Sequence, residues 1–168
     1  MAEHAIGVEV VTPEEALYAG PAAAVVLATS EGDLTIMAEH AEMIGDVVAG
    51  IVKIETIDGP TIDVAVHGGF VQVHTAVGEA GALVEDAAET DRTTRVTLLA
   101  GVAELTTEID VPRAQAAKAA AEARVGELRS STGRSGDESA ADVLADLAVA
   151  EAELARAELR LSIPASQI

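Results

Sequence analysis

Apolar and polar positions alternate near the start of the chain. Ile6, Val8 and Val10 stand against Gly7, Glu9 and Val11, the two-residue period of a strand with one buried face. Pro13 ends that run. A second apolar stretch, AAAVVLAT, leads into the turn signal SEGD and then LTIM, so residues 22–37 are expected to form a hairpin. The runs VVAGIVKIET and TIDVAVHGG flank IDGP, in which Asp58-Gly59 supplies the backbone freedom of a tight turn. FVQVH from Phe70 and RVTLLAGVAEL from Arg95 to Leu105 continue the series. Roughly eight short strands with no helix between them predict an antiparallel sandwich or barrel. Residues 75–94, rich in Gly, Ala and acid, show no sustained period. They read as a long insertion in a hairpin loop, with room for a short helix over 81–89.

After Asp110 the period changes to that of a helix. Asp110 is a favourable N-cap, Pro112 suits the first turn, and the alanines up to Ala123 are strong helix formers. This helix should end near Arg129, because SSTGRSG cannot continue it. A second helix is expected from about Asp137 to Ile163, stopped by Pro164. Its Val143, Leu147, Ala150, Leu154, Ala157 and Leu161 recur at alternating steps of four and three, which makes a seam for a neighbouring helix. The short connection makes that neighbour the first helix, packed antiparallel with alanines at close approach. The predicted fold is therefore α+β: an antiparallel β-sandwich over residues 1–107, then an antiparallel two-helix hairpin over 110–164. Four large seam side chains are a small core for about fifty ordered residues, so the hairpin is expected to be marginal by itself.

Composition narrows the function. Of the 168 residues none is cysteine, so disulfides and thiolate zinc sites are excluded. With only Phe70 and Tyr18 as aromatics, the sandwich core must be aliphatic. MAEHAIGVEV lacks the pattern of a signal peptide, and PAAAVVLA is far too short for a membrane span. A soluble chain with no membrane insertion is expected. The net charge is −19, most of it before Asp110, where Lys53, Arg92 and Arg95 are the only Lys or Arg residues. Such a surface repels nucleic acid. It reads as a device for solubility or as an acidic face for a basic partner.

Little catalytic chemistry is legible. His67 and His74 are seven apart, an odd interval that puts them on opposite faces of a regular strand, so no metal pair is expected. The histidines, His4 and His40 included, read as surface or loop residues. No nucleophile elbow, phosphate loop, dinucleotide fingerprint or HExxH occurs. Gly68-Gly69 marks a bulge or bend. The one unusual group is basic. Arg156 and Arg160 stand four apart on one helical face, taken to lie opposite the leucine seam, where like charges repel. Arg113 and Arg124 are eleven apart and also share a face. Four guanidinium groups on two antiparallel helices suit a phosphate, whereas a solvated face trimmed by Glu153 and Glu158 is the plainer alternative.

At larger scale, VEVVTPEEALYAGPAAAVVLATSEGDLTIMAEHAEMI resembles the opening of the epsilon subunit of bacterial F-type ATP synthases. Thr12-Pro13-Glu14, Leu17 to Gly20, the hairpin Gly32 to Ile36 and the loop His40-Ala41 follow in the family's order. VHGGFVQV resembles its Gly-Gly-Phe strand, and VTLLAGVAELTTEID its next strand and its entry into the helices. The resemblance implies a non-catalytic central-stalk subunit that links the gamma subunit to the c ring during proton-driven ATP synthesis. Its place would be peripheral, at the cytoplasmic face of the bacterial plasma membrane. Ile36, Met37, His40 and Ala41 would form the loop that meets gamma and the c ring. The hairpin would lie folded on the sandwich or extend along gamma toward the alpha and beta catalytic subunits, restraining hydrolysis.

Ile109-Asp110-Val111-Pro112-Arg113-Ala114 resembles the signature by which some members bind ATP as a regulatory ligand, with no cofactor required and no metal. By that resemblance the nucleotide contacts are Glu104, Asp110, Arg113, Arg156 and Arg160. A basic residue expected at 120 is replaced by Ala120, and Arg124, one turn further along the same face, is the candidate substitute. Two other readings stay open: a purely structural coupling subunit that senses no nucleotide, and a free-standing adaptor of sandwich and helical hairpin.

Overall fold

The computed structural model describes residues 5–77, 92–131 and 137–163. The chain divides into two compact units, Met1–Thr106 and Thr107–Ile168. The described part of the first contains ten strands: β1 (Ile6–Val11), β2 (Ala16–Ala22), β3 (Ala24–Thr29), β4 (Gly32–Ile36), β5 (Met43–Val47), β6 (Gly50–Glu55), β7 (Ile62–Val66), β8 (Gly69–Val77), β9 (Arg92–Ala100) and β10 (Ala103–Leu105). They form two five-stranded sheets, ordered β2-β1-β9-β8-β5 and β10-β7-β6-β3-β4. Every ladder is antiparallel except the one joining β1 to β9. The second unit holds a short 3-10 turn (Thr106–Glu108, which begins at the boundary), α1 (Val111–Ser131) and α2 (Asp137–Ser162). The α+β class read from the pattern holds.

The core is aliphatic. Ile6, Val8, Val10, Val25, Leu27, Ile36, Val52, Ile54, Val64, Val66, Val71, Val73, Val96 and Leu98 are all buried within it, and Tyr18 only packs against its margin. Alternation carries this: in β1 the even positions enter the core and Glu9 faces solvent, as the period of two demands. Burying one aliphatic side chain of this size contributes about 1.5–3 kcal/mol, so the layer between the sheets dominates the stability of the unit.

Three apolar runs that look continuous in the sequence are cut between the sheets. Ala22 ends β2 in one sheet and Ala24 starts β3 in the other. Val47 ends β5 and Gly50 starts β6, so VVAGIVKIET is two strands rather than one. RVTLLAGVAEL likewise breaks at Gly101-Val102 into β9 and β10, which lie in different sheets. Backbone bonds secure these corners: Ala23 N–H donates to Glu55 O (2.7 Å), Val48 N–H to Ala28 O (3.1 Å) and His67 N–H to Val102 O (3.0 Å). Ser30 adds a tie, its N–H and hydroxyl donating to the two carboxylate oxygens of Asp46.

Gly68-Gly69 is one of these corners rather than a bulge within a strand. Gly68 has φ +109°, a conformation that side chains disfavour. Gly69 pairs with Ala100, and a methyl group there would collide with the carbonyl of Leu99. The β8–β9 hairpin is paired out to Val77 and Arg92. The ends of the 75–94 insertion are therefore regular strand. Its remainder, including the helix considered at 81–89, lies outside the described residues.

In the second unit, Asp110 caps α1. Its Oδ1 accepts from Arg113 N–H (2.9 Å) and its carbonyl from Ala114 N–H (2.9 Å), so a residue suited to stop a strand also starts the helix. Val143, Leu147, Leu154 and Leu161 are partly buried along α2, with Ala150 and Ala157 almost wholly so. On α1 the buried positions are Ala114, Ala121 and Val125. Two ion pairs set the register of the antiparallel helices: Lys118 Nζ to Glu158 Oε1 (3.2 Å) and Arg129 Nη2 to Glu151 Oε1 (2.8 Å).

Two outcomes follow. Replacing Gly69 by alanine forces the β8–β9 ladder apart and should cost about 1–3 kcal/mol, read as a lower urea midpoint. Burial pushes the phenol of Tyr18, whose hydroxyl donates to Pro21 O (2.9 Å), above the ordinary tyrosine value. The neutral phenol's contribution is thus complete below about pH 10 and is lost as pH rises through the higher folded value. Tyr18 is the only tyrosine and tryptophan is absent. Phenolate absorbance should therefore titrate later in the folded chain than in urea, and Tyr18→Phe should flatten alkaline unfolding.

Candidate functional site

The basic residues singled out in the sequence converge on the hairpin. A cleft of about 340 Å³ runs along one edge of the helix seam, lined by Ala117, Ala120, Ala121 and Arg124 of α1 and by Glu153, Arg156 and Arg160 of α2. Arg156 and Arg160 therefore flank the leucine seam and do not lie opposite it. Each immediately precedes a seam residue, Ala157 or Leu161, and one residue turns about 100° around a helix rather than half a circle. The alanine wall of α1 then leaves room for guanidinium groups beside the contact line. Among the described residues, the side chains of Arg124 and Arg156 make no ion pair. Three cations and one carboxylate around a small apolar floor can hold a polyphosphate, because guanidinium forks match phosphate oxygens.

The remaining residues of the expected nucleotide set fall elsewhere. Arg113 is exposed and does not line the cleft. It lies eleven residues before Arg124, about 16 Å along the axis at 1.5 Å per residue, so four arginines do not close around one phosphate. Asp110 is the cap described above. Glu104 sits on β10 of the other unit, where its Oε1 lies 3.4 Å from His67 Nε2. The His67 side chain is only 5% exposed. His67 is a loop histidine, in the corner between β7 and β8, but not a surface one: its ring is buried beside a carboxylate. Nothing in the spacing of His67 and Glu104, 37 residues apart, signals this pair. His74 stands instead on β8 opposite Arg95, and His4 lies outside the described residues. Among the described residues no group of three His, Cys, Asp or Glu could hold a metal.

The loop between β4 and β5 is the second region expected to act. Ile36 is fully buried in the core, so it supports the loop from beneath and cannot itself meet a partner. Met37 is 56% exposed. Glu39 takes φ +63°, and its N–H donates to the hydroxyl of buried Thr94 (2.9 Å). His40 N–H donates to Met37 O (3.2 Å), while its Nδ1 lies 2.9 Å from Ala41 O. Glu42 accepts from Thr75 N–H (3.0 Å). The loop is thus tied to the β8–β9 hairpin and presents Met37 and Ala41 outward.

Sequence reading missed an exposed apolar patch on the outer face of the first sheet. Phe70 is 61% exposed and pairs across the ladder with Leu99, 50% exposed. Ile44, on the adjacent strand β5, is 75% exposed. The signal that could have found it is parity: with Val71 and Val73 inward, Phe70 must point out. Apolar side chains clustered on a sheet face mark an interaction surface.

Comparison with known proteins agrees with this architecture. Residues 5–87 match the family described as ATP synthase, Delta/Epsilon chain, beta-sandwich domain. Proteins named ATP synthase epsilon chain are similar over much of the chain. That of Streptomyces griseus is 36% identical over 110 residues, 66% of this chain and 74% of its own length. That of Halalkalibacterium halodurans is 38% identical over 119 residues, 70% and 74% of the two chains. That of Syntrophomonas wolfei is 38% identical over 130 residues, 77% and 81%. Among solved structures, a chain of the Euglena gracilis mitochondrial ATP synthase (OSCP/F1/c-ring) superposes with a TM-score of 0.62 at 21% identity, covering 94% of this chain and 80% of its own, a likeness of fold. The chain belongs to the ATP synthase epsilon family, as a non-catalytic subunit of the stalk and not an enzyme in its own right.

Proposed function

We propose that this chain is a rotor subunit of the central stalk, in which the sandwich joins the gamma subunit to the c ring and so couples proton translocation to ATP synthesis. The observation that carries the reading is the exposed cross-strand pair Phe70 and Leu99, with exposed Ile44 diagonal to it on β5, two residues from the Asp46 that stands opposite Phe70, on an acidic unit. Three large apolar groups in water lose stabilisation unless a partner covers them. Met37, His40 and Ala41 supply a second contact, for the c ring, on a loop that hydrogen bonds hold in one shape. None of the described helices is long and apolar enough to cross a membrane. Attachment at the cytoplasmic face of the bacterial plasma membrane is therefore through the c ring.

The hairpin is the regulatory part of the proposal. ATP is its ligand, not a required cofactor. Arg156 and Arg160 take the phosphates, and Asp110 and Arg113, at the start of α1 and outside the cleft lining, take the other end of an elongated molecule. Glu104 joins this set by resemblance alone, and its carboxylate already meets His67. Ligand bound only to the closed hairpin stabilises it by RT ln(1 + [L]/Kd), about 2.7 kcal/mol at a hundredfold excess over Kd. A marginal pair of helices is thereby shifted away from an extended form that reaches the alpha and beta subunits and restrains hydrolysis. A stalk subunit blind to nucleotide is the second reading, favoured by Ala120 in place of an expected basic residue.

Two measurements separate these. Leu99→Glu, a change at an exposed position, should leave folding nearly intact yet weaken co-purification with gamma and the c ring by about 2 kcal/mol or more, as for an interface hot spot. Unimpaired capture of both partners would reject the surface. Thermal unfolding with saturating ATP should rise for the native chain and much less for Arg156→Ala. Equal midpoints with and without ATP would leave the blind stalk subunit as the answer.

A further inference from the structure

We infer that Arg124 and Glu153 are the opposed pair that sets how tightly the hairpin cleft holds a polyphosphate, Arg124 drawing the anion and Glu153 limiting its affinity. The inference rests on the proposed reading of that cleft as an ATP site, in which Arg124 is already the candidate for the basic residue missing at 120; what it adds is the opposing role of Glu153 and the balance between the two. Both side chains line the cleft, on facing helices. The pairs Lys118–Glu158 and Arg129–Glu151 bracket them and register Arg124 against the turn that carries Glu153 and Arg156. Ala120, one turn before Arg124, is a wall of the cleft with no charge to offer. Arg124 is therefore the only cation that α1 contributes to the lining, and without it an anion would be held from α2 alone.

Glu153 stands three residues before Arg156, on the same side of α2. Among the described residues it makes no ion pair, so its charge is not consumed by a neighbour. Its field acts on whatever enters the cleft. It lowers the mutual repulsion of the arginines when the cleft is empty, and repels phosphate when the cleft fills. Both effects oppose binding. A regulatory site must release its ligand as the concentration falls, and one carboxylate among three guanidinium groups gives it that property. The effect should grow with the number of phosphates, since it is charge on charge.

The test is calorimetric titration of the full-length chain with ATP, AMP and inorganic tripolyphosphate at fixed salt, for the native chain, Arg124→Ala, Glu153→Gln and the double variant, with Arg156→Ala alongside. Arg124→Ala should weaken ATP about tenfold, the worth of one charge-assisted contact. Glu153→Gln should tighten it several-fold, the double variant should fall between, and AMP should respond least. Both positions are exposed, so the folded state, checked by circular dichroism, should be preserved. If Arg156→Ala weakens ATP while Arg124→Ala and Glu153→Gln leave it unchanged, the pair has no such role, although the cleft remains the nucleotide site. If the native chain binds neither ATP nor tripolyphosphate, the site itself is refuted and this inference with it.

Discussion

The aliphatic layer between the two sheets constrains everything else in the first unit. Without aromatic side chains to span it, the layer fills only if Ile, Val and Leu arrive from both sheets in strict alternation. The chain meets this by stepping from sheet to sheet at short corners, where Ala23, Val48 and His67 donate their N–H groups across the junction. Those corners fix the parity of the strand that follows. Once Gly68-Gly69 starts β8 with Val71 and Val73 facing inward, Phe70 faces water and stands beside Leu99. The surface patch is thus a by-product of how the core is filled.

The hairpin obeys a different economy. Its contact line is built largely from alanine, so the helices approach closely but gain little from each residue. Close approach has a chemical consequence: residues next to the seam face one another across a cleft that stays open to water. Arg124, Arg156 and Arg160 are collected in this way, and the flanking ion pairs hold the register that does it. The small side chains that make the hairpin weak also make its edge able to receive a ligand, so the stability of the helices and occupancy of the cleft become linked quantities.

Much of this was legible in the residues. The period of two in β1, the hairpin at SEGD, the cap at Asp110 and the seam of α2 all appear where the pattern put them. The hairpin at IDGP does too, but through a connection over residues 56–61 rather than a tight turn, with no left-handed backbone at Gly59. The strands that the pattern did not reveal, β2 and β5, are both sheet edges. An edge strand needs a ladder on one side only, so it tolerates Pro21 in ALYAGPA and Gly45 in MIGDV, residues that erase the strand signal. The same holds for the functional residues. Arginines spaced four apart announce themselves, but their position relative to the seam depends on how near the other helix comes.

What the sequence determined by itself was therefore local and periodic: which segments extend, which coil, where one regime gives way to the other, and that the core would be aliphatic. Tertiary structure decided where an apolar run is cut between two sheets, that His67 turns inward to Glu104, that Ile36 is core while Met37 is surface, and that Arg124 faces Arg156 and Glu153. The physical reason is that periodicity records the environment of a residue along its own element. Which residues of another element complete that environment is set by corners and close approaches, and these leave no repeat in the chain.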